Sequence, residues 1–348
     1  MKKYFIYELK KSSFTIACLS VILTLLYLVI LLSTEAGRLG INAYTTYLAV
    51  PAYSGAVLAF AVPFRQLDYK MKKRSADLFF SLPLSHSKII AVKFLTGLII
   101  VFAPYTLSYW LGAFAMMIKT SLPVNAVFYI PHFFITLLPL YIVYAVSSFA
   151  FTRAGKASDG VLFSAFWMIA PMLAVAVLGS LIKGKPYTDI EGVTYLYDPY
   201  FHPEYYSVFS PLSYFTSLFA ELISADGYFM DTSSITIANM AVGFALVALM
   251  GAGASAGLFI AEKNARFENI EQISDSLFGY KTALPYLTVC LTALCHFAFF
   301  LAVFVAVGAF LLTAVYRRTL KIGNKQAIIY AASLTAGIIL ALICAYVL

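Results

Sequence analysis

Two residues come nearest to covalent chemistry in this chain. Ser255 stands in Gly253-Ala254-Ser255-Ala256-Gly257, which fits the G-x-S-x-G pattern of serine hydrolases, and His296 follows in the next apolar run. A hydroxyl beside an imidazole can attack a carbonyl when water has a path to it. An intramembrane serine protease, with Ser255 as nucleophile and His296 as base, is therefore one chemistry the residue types allow. The pattern requires a strand, a sharp turn and a helix to expose the hydroxyl, whereas here it lies deep in an apolar run. The stretch GAGASAG from Gly251 to Gly257 also carries small residues four apart, the spacing at which two membrane helices approach closely. Helix packing explains the motif with fewer demands.

Other chemistries find less support. His86, His132, His202 and His296 show no ligand spacing to one another or to cysteine, so no metal site is expected. Cys18, Cys290, Cys295 and Cys344 all fall within apolar runs and read as small packing residues rather than a disulfide framework. Gly155-Lys156 and Gly184-Lys185 lack the earlier glycine and the following hydroxyl of a nucleotide-binding loop, so the chain is not expected to bind or hydrolyse ATP unaided. Ion-coupled carriers usually mark their pathways with acidic residues inside the spans. Glu35, Asp159 and Glu262 all lie at or beyond the ends of the apolar runs, which leaves an ion-coupled secondary transporter as an alternative only through carbonyls at a broken helix.

The elements that must position any site are set by composition. Of 348 residues, 62% are hydrophobic and 11% charged, against about 25% charged in an ordinary soluble domain. Stretches free of Asp, Glu, Lys and Arg cover Ser12 to Thr34, Leu39 to Phe64, Phe94 to Ile118, Thr120 to Thr152, Gly160 to Ile182, Thr232 to Ala261, Thr282 to Tyr316 and Gln326 to Leu348. A helix needs about 20 apolar residues to cross a bilayer, and the runs show none of the alternation of a membrane β-barrel. The expected fold is all-α. It is a polytopic helical bundle forming a single transmembrane domain over 1–348, with six core spans and two further C-terminal apolar segments over 282–348, eight spans in all.

Lys and Arg are retained on the cytoplasmic side during insertion, which orients the bundle. Arg65 to Lys93 holds seven Lys or Arg against two Asp and is expected inside, so the N-terminus is inside too. Segment 1–11, MKKYFIYELKK, reads either as a short interfacial helix that then turns inward or as a positive tail orienting the first span. Segment 183–231 becomes a large extracytoplasmic loop with seven acidic residues against Lys183 and Lys185. Its tyrosines suit an interfacial anchor, and its charge suits a cation-attracting vestibule. Thr282 to Tyr316, at roughly 50 Å of helix, is too long for one upright crossing; tilting, emergence into water or a hairpin near Gly308 would accommodate it. A single crossing puts Arg317, Arg318, Lys321 and Lys325 outside. The net charge of +8 gathers beside span ends, so no nucleic-acid partner is expected.

One cytoplasmic segment exceeds what orientation requires. In RQLDYKMKKRSADLFFSLPLSHSKI, residues 65–89, Met71, Ser75, Leu78, Phe79 and Leu82 recur at helical spacing while Lys72, Lys73, Arg74 and Asp77 take other faces, which makes a short amphipathic helix. Pro83 ends it, and Ser85 can cap the helix leading into the third span. The result is an elbow at the membrane surface.

The run K-R-S-A-D-L-F-F-S-L-P-L-S-H-S-K-I from Lys73 to Ile89, following an apolar span and a basic stretch, resembles the cytoplasmic loop of permease subunits of ABC-2 type export transporters. Arg266-Phe267-Glu268 is similar to an R-x-E element after the sixth span of some Gram-positive members. The C-terminal apolar runs depart from the six-span pattern, as does His86 where arginine is frequent. The resemblance implies a multi-pass permease of the bacterial cytoplasmic membrane with a coupling helix between spans 2 and 3. Its partners would be a separate ATP-binding cassette ATPase, which carries the ATP and magnesium, a second permease subunit, identical or paralogous, and membrane lipid. It assigns the ATPase contact to Lys72, Lys73, Arg74, Asp77, Leu78, Phe79, Ser81, Leu82 and Pro83, and no catalysis or cofactor to this chain.

Overall fold

A chain surrounded by hydrocarbon must satisfy its own backbone N–H and C=O groups, and the apolar runs do so as α-helices. The computed structural model describes residues 2–33, 41–81, 83–119, 126–181, 187–188, 194–195, 237–263, 272, 274, 276–295, 299–317 and 323–346. Within them lie ten helices: α1 (Lys2–Ser33), α2 (Ile41–Leu67), α3 (Lys73–Phe80), α4 (His86–Lys119), α5 (Ala126–Thr152), α6 (Ala157–Leu181), α7 (Ile237–Lys263), α8 (Tyr280–Leu294), α9 (Phe299–Arg317) and α10 (Asn324–Tyr346). A 3-10 turn over Asp68–Met71 separates α2 from α3. Two short strands, β1 (Tyr187–Thr188) and β2 (Thr194–Tyr195), pair antiparallel with Tyr187 opposite Tyr195. Among the described residues six helices are long and apolar enough to cross a bilayer: α1, α4, α5, α6, α7 and α10. The protein is an all-helical, multi-pass membrane bundle.

Lipid tails are as apolar as leucine, so burial alone does not draw membrane helices together; close van der Waals packing does. The core follows that rule. Ala52, Ala56 and Ala59 put a flat face on α2, against which Tyr105 of α4 and Leu140 and Tyr144 of α5 are fully buried, with Val247 and Leu258 of α7 closing the cluster. On the outside of α4, α1 fits its Tyr27 ring so closely over Gly112 that a Cβ there would stand 2.0 Å from the ring. On the other side α6 packs on α5, and α8 on α6. Ala283 meets Phe166 and Ala170, and Cys290 and Ala293 meet Val177. The Tyr286 hydroxyl donates to the Ala170 carbonyl.

Segment 1–11 is continuous with the first span, since Lys2–Ser33 is one uninterrupted helix. No glycine or proline occurs before Gly37 to break it. The run 282–316 is broken into two helices. It is divided into α8 and α9, which lie antiparallel, the Tyr280 and Tyr316 rings meeting at 4.1 Å between centroids. The reversal falls between Cys295 and Phe299 rather than near Gly308, which is inside α9. Folding back in this way returns the chain to the end it left, so Arg317 and the start of α10 lie at the same end as Lys281. Arg317 and Lys325 therefore do not oppose the charge bias that a single crossing would have violated. Most of segment 183–231, expected as an outer loop, together with Arg266-Phe267-Glu268 and His296, lies outside the described residues.

One experiment separates these two paths. With Cys18, Cys290, Cys295 and Cys344 replaced, single cysteines at Lys156, Lys281 and Lys325 are expected to react with a membrane-impermeant maleimide from the same side of sealed vesicles. Labelling of Lys325→Cys from the opposite side to Lys281→Cys would exclude the α8–α9 hairpin.

Candidate functional site

The elbow is built from three short pieces. The 3-10 turn ends at Lys72, whose extended backbone (φ −123°, ψ 120°) breaks the helical path. Eight residues of α3 follow, with the Ser75 amide donating to the Lys72 carbonyl at 3.1 Å. Past Pro83, Ser85 stands at the start of α4, its carbonyl accepting the Lys88 and Ile89 amides at 2.9 and 3.2 Å. The expected helix, break and second helix are thus present, but Met71 belongs to the turn rather than to the amphipathic helix.

A single cluster fastens the elbow to the bundle. Leu67, Tyr69 and Met71 from the turn region, Ile89 from α4 and Phe151 from α5 are buried together, with Tyr4, Phe64, Phe79, Leu84 and Ala154 packed around them. Phe79 turns toward this cluster. Its ring lies 4.5 Å from that of Tyr69, so its half-buried side chain packs against the chain's own cluster.

Beneath these rings sits the one feature that sequence reasoning missed. The Lys93 ammonium of α4 donates to Glu8 Oε2 of α1 at 2.9 Å, with the two side chains only 7% and 3% exposed. Tyr4 donates to the other carboxylate oxygen at 3.1 Å. The ammonium also lies 4.8 Å from the centroid of the Phe79 ring and 5.6 Å from that of Tyr69, where the electron-rich faces attract a cation. One charge from α1 and one from α4 are therefore neutralised directly below α3. The signal was present: Glu8 is the sole acid among four lysines, one helical turn after Tyr4.

The other residues assigned to a partner contact divide by exposure. Lys72, Lys73, Arg74, Ser81 and Pro83 are exposed, and Lys72 pairs with Asp68 one turn back. Asp77 and Leu78 belong to the α3 backbone, but their side chains lie outside the described residues, as does Leu82 altogether. The elbow thus presents basic side chains outward and anchors itself inward.

Ser255 has neither the surroundings nor the geometry of an exposed nucleophile. It is mid-helix in α7, its hydroxyl within 2.9 Å of its own Gly251 carbonyl and 2.7 Å of the Tyr141 hydroxyl of α5. The glycines around it do the work of close approach: a Cβ on Gly251 or Gly257 would stand 2.8 Å from Ile142 or Phe149 of α5. Among the described residues no three His, Cys, Asp or Glu side chains gather as a metal site would need.

Fold and elbow together define a helical membrane protein with a buried ion pair at the elbow end. Comparison with protein-family models, curated proteins and solved structures found no match to this chain.

Removing one member of a buried ion pair strands the other, at a cost of about 3–5 kcal/mol, while removing both costs much less. Lys93→Met is accordingly expected to lower the thermal midpoint in detergent sharply, and Glu8→Gln combined with Lys93→Met to recover most of that loss. Additive losses in the double variant would show that the two groups are not coupled.

Proposed function

We propose that this chain is the membrane subunit of an ATP-driven exporter of the ABC-2 type, with its N-terminus and elbow in the cytoplasm of a bacterial cell. Two such subunits enclose the pathway, and a separate ATPase, holding ATP and magnesium, docks on the elbow. The observation that carries this reading is the elbow's attachment. An amphipathic helix that only marked orientation would need no fixed contact with the bundle, whereas α3 is seated through Phe79 on a buried charge pair joining α1 to α4.

Mechanically, a push on α3 is delivered through the Phe79 and Tyr69 rings to Lys93 and Glu8, and so to two long helices at once. Phe151 carries the same contact to α5. The exposed Lys73 and Arg74 can meet acidic residues of an ATPase, which would steer docking and make it salt-sensitive. The apolar knobs of that contact are Leu78 and Leu82, with Phe79 acting as the joint behind them. No covalent step is asked of this chain.

The deciding experiment is purification of the tagged protein from its native membrane and a search for a co-eluting ATPase. Co-elution is expected for the native chain and for Ser255→Ala, and its loss for Leu78→Asp combined with Leu82→Asp. Transport by the chain alone, driven by an ion gradient and indifferent to the paired aspartates, would favour a secondary carrier and defeat the proposal. Proteolysis abolished by Ser255→Ala would do the same in favour of the serine protease.

A further inference from the structure

Ser274 and residues 276–282, which lead into α8, are bound to the turn between α5 and α6 and to α6 itself. The stretch is shaped by its own serines: the Ser276 amide donates to the Ser274 hydroxyl at 3.3 Å and the Phe278 amide to the Ser276 hydroxyl at 3.2 Å. An α-helix leaves the carbonyls at its C-terminal end without a partner, and the Ser274 hydroxyl donates to that of Arg153, just past α5, at 2.5 Å. From α6, Trp167 Nε1 donates to the Phe278 carbonyl at 2.9 Å. Tyr280 donates in turn to Asp159 Oδ1 of α6 at 3.1 Å. Gly279 lies so close to α6 that an added Cβ would stand 2.7 Å from the Phe163 ring.

These contacts continue to the elbow. Phe151 of α5 is fully buried in the cluster that anchors the elbow, with Ala154 packed beside it. Its ring lies against Gly160 of α6, where a Cβ would stand 2.5 Å away, and Gly160 directly follows Asp159, the residue that holds Tyr280. Fitted contacts therefore run without a gap from the stretch before α8, through the start of α6, to Phe151 and the elbow's anchor.

Access to water separates these ties from those of the core. The bond from the Tyr144 hydroxyl to the Phe94 carbonyl is buried, so breaking it strands two polar groups. The bond from Trp167 to Phe278 is exposed, and those made by Ser274 and Tyr280 are half-buried. Leu277 and Phe278 between them are 72% and 44% exposed. Water can replace either partner in these bonds, which leaves only the modest net value of a hydrogen bond to be lost.

We infer that Ser274 and residues 276–282 form a releasable latch on the elbow's anchor. Closed, as in this structure, the latch caps α5 and holds the start of α6 against Phe151. Open, it leaves the Arg153 carbonyl to water and frees the end of α5, and Phe151 with it, while the bundle stays folded. Opening of this local kind draws on the least stable part of a fold. The latch concerns the chain's own motion and holds for any partner of the elbow.

The test is hydrogen–deuterium exchange of the purified full chain in detergent. It is read at the amides of Arg153, Ala154 and Gly160, which are hydrogen-bonded at the α5–α6 turn, and at that of Ile89, bonded to the Ser85 carbonyl beside the elbow. Ser274→Ala combined with Tyr280→Phe removes two ties and is expected to speed exchange at all four amides about tenfold, as the loss of two hydrogen bonds predicts. Gly279→Ala, which removes no hydrogen bond but presses on Phe163, is expected to act in the same direction. Unchanged exchange at the turn in either variant would overturn the latch. Faster exchange at the turn but not at Ile89 would overturn its link to the elbow, and a rise spread equally over every helix would overturn release as a local event.

Discussion

Hydrocarbon offers a polar group no partner, and that constraint orders the whole bundle. Backbone groups are satisfied by making the apolar runs helical, and side-chain hydroxyls follow the same rule on their own helices. Ser20, Thr106, Thr136 and Ser255 each donate to the carbonyl four residues earlier, at 2.7 to 2.9 Å. Because such bonds close within one helix, they do little to hold helices together. That task passes to shape, in the Tyr27 ring over Gly112 and in Gly251 and Gly257 against α5.

Charge enters this setting only under strict terms. A buried carboxylate or ammonium alone would be neutralised or expelled, so Glu8 and Lys93 are present together, with a tyrosine hydroxyl on one and aromatic faces over the other. The pair gives α1 and α4 a fixed relation at one end that apolar packing, which tolerates sliding, would not enforce. The rest of that end is knit in the same manner: Ser274 bonds to the Arg153 carbonyl, Tyr316 to the Ser274 carbonyl at 2.8 Å, and Tyr280 to Asp159 at 3.1 Å. The elbow therefore rests on a surface that ties together the ends of several helices.

The helices were legible because their signal is long and one-dimensional: charge-free runs mark α1, α4 to α7 and α10, although α1 and α4 begin ten and eight residues before their runs, at charged stretches. The elbow was legible from Pro83 and from the spacing of its apolar positions. What could not be read was tertiary. Charge-free length says nothing of where a helix reverses, since Cys295 is as apolar as its neighbours and Gly308 is the more conspicuous break. The inward turn of Phe79 depends on Tyr69 and Lys93, and the Glu8–Lys93 bond joins residues 85 positions apart. The pairing itself leaves no local trace, although Glu8 stands out as the sole acid among four lysines. Ser255 is the opposite case, a local pattern matching a catalytic motif that lies mid-helix in α7, against the Tyr141 hydroxyl of α5.

The separation of that ion pair also sets an order of events in biogenesis. Glu8 leaves the ribosome at the start of the first membrane helix, yet its partner is 85 residues later. At a synthesis rate of about 5–20 residues per second, Glu8 waits roughly 4–17 s before Lys93 has been made. During that interval its carboxylate has to stay in water, so the tip of α1 is held at the membrane surface until α4 arrives. Sealing of this end is thereby timed by the insertion of the third long helix.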